Sequence, residues 1–292
     1  METQVKTMNE VKNGLIMEGG AMRGMFTAGV IDVLMENGIT FDGAIGVSAG
    51  ATFGCNFKSH QIGRVIRYNK TYCHDKRYGS FLSFVKTGDY YGADFCYRIL
   101  PEQLDVYDLA TYRNNPMPFY VVASDCTTGQ PVYRELKTCD KDDLTWMRAS
   151  ASMPIASRVV RIDGHELLDG GITDSIPLKH FEKMGFGRNL VILTQPKEYQ
   201  KKRSSLLPLI KLCLRKYPKI VEAMEKRHTV YNEQKAYVFR EEEKGSVLAI
   251  YPSKDLGIKR TEHNPRKLQK AYDEGRLTAK TRMQEIKNFL KK

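Results

Sequence analysis

The chain has 292 residues, 41% of them hydrophobic, and a formal net charge of +12, enough sequence to bury a full core as one large domain. No apolar run approaches the roughly 18 to 20 residues that would span a bilayer, and the six cysteines (Cys55, Cys73, Cys96, Cys126, Cys139, Cys213) are scattered without a C-x-x-C pair or a histidine at zinc spacing, which excludes a disulfide scaffold and leaves no metal or other cofactor expected. The charge is uneven: residues 197–292 carry 25 Lys/Arg against 12 Asp/Glu, net +13, while residues 1–196 carry 21 against 22, net −1.

The polar N-terminus, METQVKTMNEVKN, has no apolar signal core, so a cytoplasmic location is expected. Residues 15–17 read as a short strand and 25–36 as a helix, with Val30, Val33 and Leu34 apolar and Gly38 as its stop. A second apolar run, 41–47, reaches Ser48; 49–57 is then small and apolar enough for a buried helix, and 61–72 reads as an amphipathic one. Residues 80–115, rich in Tyr, Phe and Asp without clear period, read as an insertion or lid. Strands follow at 119–124, 159–162, 166–168 and 189–193, with helices near 142–151 and 178–184. Further on, 206–220 and 221–239 look helical, 247–251 is another strand and 266–290 a closing helix, so the C-terminal part continues the same fold. This alternation predicts an α/β fold with a mostly parallel sheet covered by helices on both faces.

Between the first strand and the first helix, Gly19-Gly20-Ala21-Met22-Arg23-Gly24 approximates the dinucleotide fingerprint G-x-G-x-x-G, with Ala21 at the middle glycine and Asp42 as a distant acid. Asp42, however, begins a strand rather than ending one. That strand ends instead in Gly46-Val47-Ser48-Ala49-Gly50, a G-x-S-x-G segment leading into a helix, where small flanking residues tolerate a strained turn that exposes a serine hydroxyl. Acyl transfer to a serine creates an oxyanion, and a glycine loop supplies unobstructed backbone N–H groups for it. The serine also needs a base. His60 and His74 fall in polar helical stretches, His165 in a hairpin turn, His180 in an amphipathic helix, and His228 and His263 in the basic C-terminal part; none has a distinctive setting. Asp169, just past a short apolar strand and followed by Gly170 and Gly171, has the better claim.

These three motifs, in this order, resemble the patatin-like phospholipase family, its bacterial cytoplasmic members in particular; the stretches VVASDCTTG (121–129) and ASASMPIA (149–156) are also similar. The resemblance covers residues 13–195 closely and the C-terminal part loosely. It implies a three-layer α/β/α patatin-like fold, a single hydrolase domain over 1–292 with its motifs in 13–195 and a basic, mainly helical part at 196–292. It also implies a Ser-Asp dyad that cleaves acyl esters of lipids through an acyl-enzyme, without metal or histidine base. Ser48 matches the nucleophile and Asp169 the base; Gly19, Gly20 and Ala21 match the oxyanion loop, Arg23 its usual positive residue, and the Ala49 amide is a further donor. Gly24, Gly46, Gly50, Gly170 and Gly171 complete the motifs. Family loops generally carry glycine where this chain has Ala21, and a non-glycine residue at positive φ costs about 1 kcal/mol.

Two other readings stay open: a Ser-His-Asp esterase drawing on His180, and a catalytically weak scaffold that binds lipids or anions. Nucleic acid is not an expected partner, because the basic charges are interspersed with Glu241, Glu242, Glu243, Asp273 and Glu274 and the aromatics are not interleaved with them at regular spacing. Leu206, Leu207, Leu209, Ile210, Leu212 and Leu214 lie between Lys201, Lys202 and Arg203 on one side and Arg215, Lys216 and Lys219 on the other. Such a segment, 201–219, either packs on the sheet or docks peripherally on the anionic inner membrane surface.

Overall fold

The structure, a computed structural model, describes residues 11–291. Its strands are β1 Asn13–Met17, β2 Gly43–Val47, β3 Phe119–Asp125, β4 Pro131–Glu135, β5 Val160–Ile162, β6 His165–Asp169, β7 Arg188–Ile192 and β8 Val247–Ile250. They form one sheet in the order β5-β6-β3-β2-β1-β7-β8, with β4 paired to β3 off this path. The run β3-β2-β1-β7-β8 is parallel, and β4, β5 and β6 are joined to it and to each other by antiparallel pairings. This is the expected three-layer α/β/α arrangement of a mainly parallel sheet.

The helices are α1 Gly24–Glu36, α2 Ala49–Lys58, α3 Arg64–Tyr72, α4 Phe81–Thr87, α5 Leu109–Asn114, α6 Lys141–Ser150, α7 Leu178–Lys183, α8 Leu207–Cys213, α9 Pro218–Glu243, α10 Pro265–Thr281 and α11 Met283–Lys291. Strands buried on both faces have no polar side to show, which is why β1 reads as an unbroken apolar run. Leu15 and Met17 enter the cluster that holds Val30 and Leu34 of α1, Cys55 of α2 and Ile286 of α11. Ile16, pointing the other way, joins Phe181 of α7 and Tyr231 and Val238 of α9. The C-terminal part is bound to the rest through backbone contact. A Cβ on Gly29 of α1 would lie 2.1 Å from the Tyr272 carbonyl oxygen, and one on Gly275 of α10 would lie 2.0 Å from that of Phe26. Only glycine at both positions lets the two helices cross this closely.

Differences from the sequence reading are local. β4 was not expected: PVYRE is short and half-exposed, and edge pairing to β3 rather than an apolar run makes it a strand. Residues 80–115 lack a period because they hold two short helices, α4 and α5, around a π-helical segment, Phe95–Leu104, with Pro101 inside it. The stretch 206–220 is interrupted, α8 ending at Cys213 and α9 opening on Pro218, where the missing N–H is harmless. The closing helix breaks at Arg282, whose Nη1 donates to the Ala249 carbonyl at 2.5 Å while its Nε donates to Glu285 at 2.7 Å.

Candidate active site

The loops after β1, β2 and β7 meet at the carboxyl ends of adjacent parallel strands, beside the point where the strand order reverses, which is where open α/β sheets place ligands. Ser48 follows β2 and opens α2 with φ 54° and ψ −118°, a conformation outside the ordinary regions for a side-chain-bearing residue. The flanking glycines explain how the turn closes. A Cβ on Gly46 would lie 2.3 Å from the Gly50 carbonyl oxygen, and one on Gly50 would lie 2.2 Å from that of Met17. Helix α2 therefore sits directly on β1 and β2, and the serine projects from the tight corner. Its amide donates to Ser150 Oγ at 3.0 Å, at the end of α6.

Asp169 arrives from the opposite direction. Val47 is paired with Val122 in β3, and Ala123 is paired with Asp169 at the end of β6. Ser48 and Asp169 thus stand level on either side of β3, about two strand spacings of ~4.8 Å apart at the backbone, and their side chains reach across it. Ser48 Oγ donates to Asp169 Oδ2 at 2.6 Å. The other carboxylate oxygen, Oδ1, accepts the Gly171 N–H at 2.8 Å, and the Asp169 amide donates to the Ser152 carbonyl at 2.8 Å. Gly170 has to be glycine because a Cβ there would lie 2.1 Å from the Val122 carbonyl oxygen. Both side chains are buried, at 7% and 4% exposure. Burial pushes the Asp169 carboxyl above the usual carboxylate range, opposed by the Arg227 charge and the hydrogen bonds from Ser48 and Gly171.

The glycine loop lies against the serine. A Cβ on Gly19 would come within 2.8 Å of Ser48 Cβ, and one on Gly20 within 2.7 Å of Thr194 Oγ1. The loop is pinned by Glu18, whose Oε2 accepts the Thr194 amide at 2.6 Å, and by Thr194 Oγ1, which donates to the Gly19 carbonyl at 3.2 Å. Ala21 has φ 48°, so the one departure from the family pattern falls on a left-handed residue. Met22 donates its amide to the Arg260 carbonyl and Arg23 to that of Gly20, whereas the amides of Gly19, Gly20 and Ala21 have no protein acceptor among the described residues. Gly24 is a packing glycine: its Cβ would meet Phe53 and Ala49 of α2 at 2.8 and 2.9 Å.

Two cavities meet at Ser48, Ala21 and Met153. One, of about 120 Å³, is lined mainly by apolar side chains and phenols, among them Phe53, Tyr68, Tyr97, Leu100 and Met147, together with Arg64. The other, of about 410 Å³, holds Asp169, Arg23, Lys201, Arg227 and Arg260 beside apolar side chains such as Phe84, Ile155 and Ile210. Neither is lined by a histidine. His180 stacks on Tyr133 with ring centroids 3.4 Å apart, His165 pairs with Asp125 at 2.7 Å, and His263 joins Tyr90 to the Cys73 carbonyl. Asp42 accepts the Asn13 amide at 2.7 Å, at the amino end of β1 and so at the opposite edge of the sheet from the glycine loop. A ribose bound at the loop is out of its reach.

Sequence reasoning missed Ser150, Ser152, Glu18, Thr194, Lys201, Arg227 and Arg260 as parts of this site. The first two lie in the 149–156 stretch already noted for its similarity; the remainder carry no local signal. Lys201 stands out in the sequence only as a basic residue bracketing 206–214, yet its Nζ lies 3.9 Å from the centroid of the Tyr231 ring and it lines the larger cavity. Among the described residues, no helix is long and apolar enough to cross a membrane.

Comparison with known proteins bears on this geometry. Residues 217–291 match a family described only as a domain of unknown function, DUF6363. An uncharacterised protein of Escherichia coli K12, YjjU, is 29% identical over 260 residues, covering 83% of this chain and 69% of that protein. A lysophospholipase of Aspergillus niger, nte1, is 26% identical over 174 residues, 59% of this chain, and an uncharacterised NTE family protein of Mycobacterium tuberculosis is 25% identical over 175 residues, 60% of this chain. The chain spans 11% and 47% of these two relatives' lengths. Among solved structures, VipD from Legionella pneumophila aligns with a TM-score of 0.43 and 14% identity over 92% of this chain and 67% of that one. Residues 15–181, more than half of the chain and the part that holds Ser48, Asp169 and the glycine loop, match the family of patatin-like phospholipases, and the protein belongs to that family.

Proposed function

We propose that the protein is a lipid acyl hydrolase in which Ser48 is the nucleophile and Asp169 its base. The observation that carries this reading is the 2.6 Å contact between Ser48 Oγ and Asp169 Oδ2 at the junction of two cavities, the larger of which carries four cationic side chains. Asp169 takes the hydroxyl proton as Oγ attacks the ester carbonyl, and the free amides of Gly19, Gly20 and Ala21, with Ala49 at the start of α2, face the oxyanion. Collapse of the tetrahedral intermediate breaks the ester C–O bond, and the proton held by Asp169 passes to the departing alcohol. Water activated by the same carboxylate then attacks the acyl-enzyme, releasing the fatty acid and restoring Ser48. An ordinary aspartate is a weak base for a hydroxyl; the burial that raises the Asp169 carboxyl improves the match. The lack of any histidine beside Ser48 disfavours a Ser-His-Asp triad drawing on His180.

The C-terminal part belongs to the same domain in this reading, since it adds β8 to the sheet and closes α10 onto α1. It also bears on peripheral membrane contact. Leu207, Ile210 and Leu214 are buried, whereas Leu206 and Leu212 of the same segment are 57% and 64% exposed, and Phe81 of α4 is 74% exposed. Phe81 and Leu206 both stand at the larger cavity, so an apolar rim there lets the mouth rest on a lipid surface. Hydrolysis of p-nitrophenyl esters from short to long acyl chains tests the chemistry: turnover in the wild type that vanishes in Ser48→Ala supports it, and turnover retained in that variant refutes it. Cosedimentation with anionic vesicles, weakened by Leu206→Ser with Leu212→Ser, tests the rim.

A further inference from the structure

Arg23, Lys201, Arg227 and Arg260 converge on the larger cavity. Two carboxylates face them, and both are engaged: Glu18 accepts the Thr194 amide, and Asp169 accepts from Ser48 and Gly171. None of the four cations has a carboxylate within 4.0 Å among the described residues. Neighbours on the same stretch of chain differ: Arg203 and Lys211 reach Glu225 at 3.8 and 2.5 Å. Within the cavity, and among the described residues, Arg23 Nε is buried with no partner, and Arg227 Nε donates only to the Gly171 carbonyl at 2.5 Å. Burial, and the charges of Arg227, Arg260 and Arg23 against the opposing Glu18, lower the Lys201 amine to about 7. Arg23, Lys201 and Arg227 are partly buried and Arg260 is exposed; like charges gathered this way repel unless an anion completes them, and packing alone is served as well by apolar side chains of similar volume.

The position of the cluster defines the anion. With the ester carbonyl at Ser48, which both cavities share, an acyl chain directed into the smaller cavity leaves the alcohol portion of the same molecule in the larger one, beside the four cations. Its charge then lies a few bonds from the scissile ester. Several guanidinium and ammonium donors around one point match a tetrahedral group with many acceptor oxygens. Lys201, Arg227 and Arg260 lie outside residues 15–181, and two of them fall within 217–291, the segment that matches a family of unknown function.

We infer that the C-terminal part builds a head-group subsite, in which Arg23, Lys201, Arg227 and Arg260 bind the negatively charged phosphate of a lipid substrate beside its scissile ester. This rests on the acyl-hydrolase reading above and assigns a task to the 217–291 segment: it selects substrates by the charge of the alcohol portion.

The test compares 1-octanoyl-lysophosphatidylglycerol with 1-octanoylglycerol below their micellar concentrations, where attraction to a charged surface plays no part. The expected result is a kcat/KM ratio of at least about tenfold in favour of the phosphoglycerol ester, reduced about tenfold or more in Lys201→Gln with Arg260→Gln and unaltered in Lys70→Gln on the exposed side of α3. In parallel, glycerol 3-phosphate and inorganic phosphate are titrated onto Ser48→Ala protein by calorimetry, a readout that needs no turnover. Glycerol 3-phosphate should bind more tightly than phosphate, and the double substitution should abolish both; equal binding would assign the cluster to free phosphate and overturn the head-group role. Ser48-dependent cleavage of p-nitrophenyl butyrate with equal use of the two octanoyl esters would overturn the subsite and leave the hydrolase standing. Tight glycerol 3-phosphate binding without cleavage of any ester would do the reverse.

Discussion

Ser48 and the cationic cluster share one cavity but are held by different means. Ser48, Asp169 and the loop before Arg23 are fixed by backbone: a corner at φ 54°, a register that sets Asp169 opposite Ala123, and glycines over which a Cβ would collide with carbonyl oxygens at 2.1 to 2.3 Å. Lys201, Arg227 and Arg260 come from a loop, α9 and a second loop; Arg260 is tied to Met22 and Lys201 to Asn232 through backbone groups, and the four charges converge as side chains. The first group tolerates almost no substitution, because backbone cannot move aside. The second is adjustable, which suits a part that chooses among substrates while the chemistry stays constant.

The largest expected effect probes the backbone-held half. Ser48→Ala and Asp169→Asn should each lower kcat by about 10² to 10⁴-fold or more without loss of the far-UV circular dichroism signal, since general-base help is of that size. The double variant should be little worse than either single one, because the pair acts as a unit. Asp169→Asn that keeps more than about a tenth of wild-type turnover would remove the carboxylate from the mechanism.

Next in size, the glycines separate the two halves by stability. Gly50→Ala places a methyl group 2.2 Å from the Met17 carbonyl oxygen and should destabilise the fold by on the order of 3 kcal/mol in urea unfolding, as overpacking against rigid backbone does. Arg260→Gln, on an exposed cluster residue, should alter stability by no more than about 0.5 kcal/mol. Similar values for the two would erase the distinction.

How much of this could be read from the chain follows the same division. The glycine loop, the serine corner and Asp169 were all readable, because backbone crowding admits few residue types and so leaves a local pattern; β1 and the strand before Ser48 announced themselves by unbroken apolar runs. The convergence of Arg23 with Lys201, Arg227 and Arg260 was not readable, since a lysine in a loop and an arginine within a basic helix look like any solvated charge until the fold brings them together. Residues 80–115 were opaque for a different reason: a π-helix and two short helices never repeat long enough to show a period.

pH offers a gentler separation. The Asp169 carboxyl is raised, so it stays protonated and unable to accept a proton to higher pH than an ordinary aspartate, and kcat/KM for a neutral ester should climb with a midpoint above 3.8. A raised carboxyl stabilises the fold below its unfolded value and loses that contribution as pH rises through its folded value; Asp32 and Asp174, both pushed to about 6 by burial, add to the same decline. Lys201 has the opposite sign. Depressed to about 7, it contributes stability that is present above its ordinary 10.5 and lost as pH falls through about 7. A bound phosphate favours the charged amine, so from pH 6 to pH 8 glycerol 3-phosphate affinity should drop a few-fold relative to that of Lys201→Gln, a comparison that cancels the titration of the phosphate itself at about pH 6. Calorimetry at the two pH values decides it; an equal drop in the variant would exclude Lys201 as the titrating group.

Ala21 gives the smallest effect and tests the boundary between the two halves, since it lines both cavities and precedes Arg23. At φ 48° its methyl group carries a strain of about 1 kcal/mol that glycine would relieve. Glycine also loosens the unfolded chain, which offsets much of the gain, so Ala21→Gly should change stability by only a few tenths of a kcal/mol. The amide proposed to face the oxyanion is present in either residue, so turnover on a neutral ester should stay level or rise. A bulky branched side chain has no such latitude: Ala21→Val should lose stability by about 1 to 2 kcal/mol and lose turnover with it. A clear fall in kcat for Ala21→Gly at unchanged melting temperature would mean that the alanine methyl group positions the substrate, and that this loop acts through a side chain as the cationic cluster does.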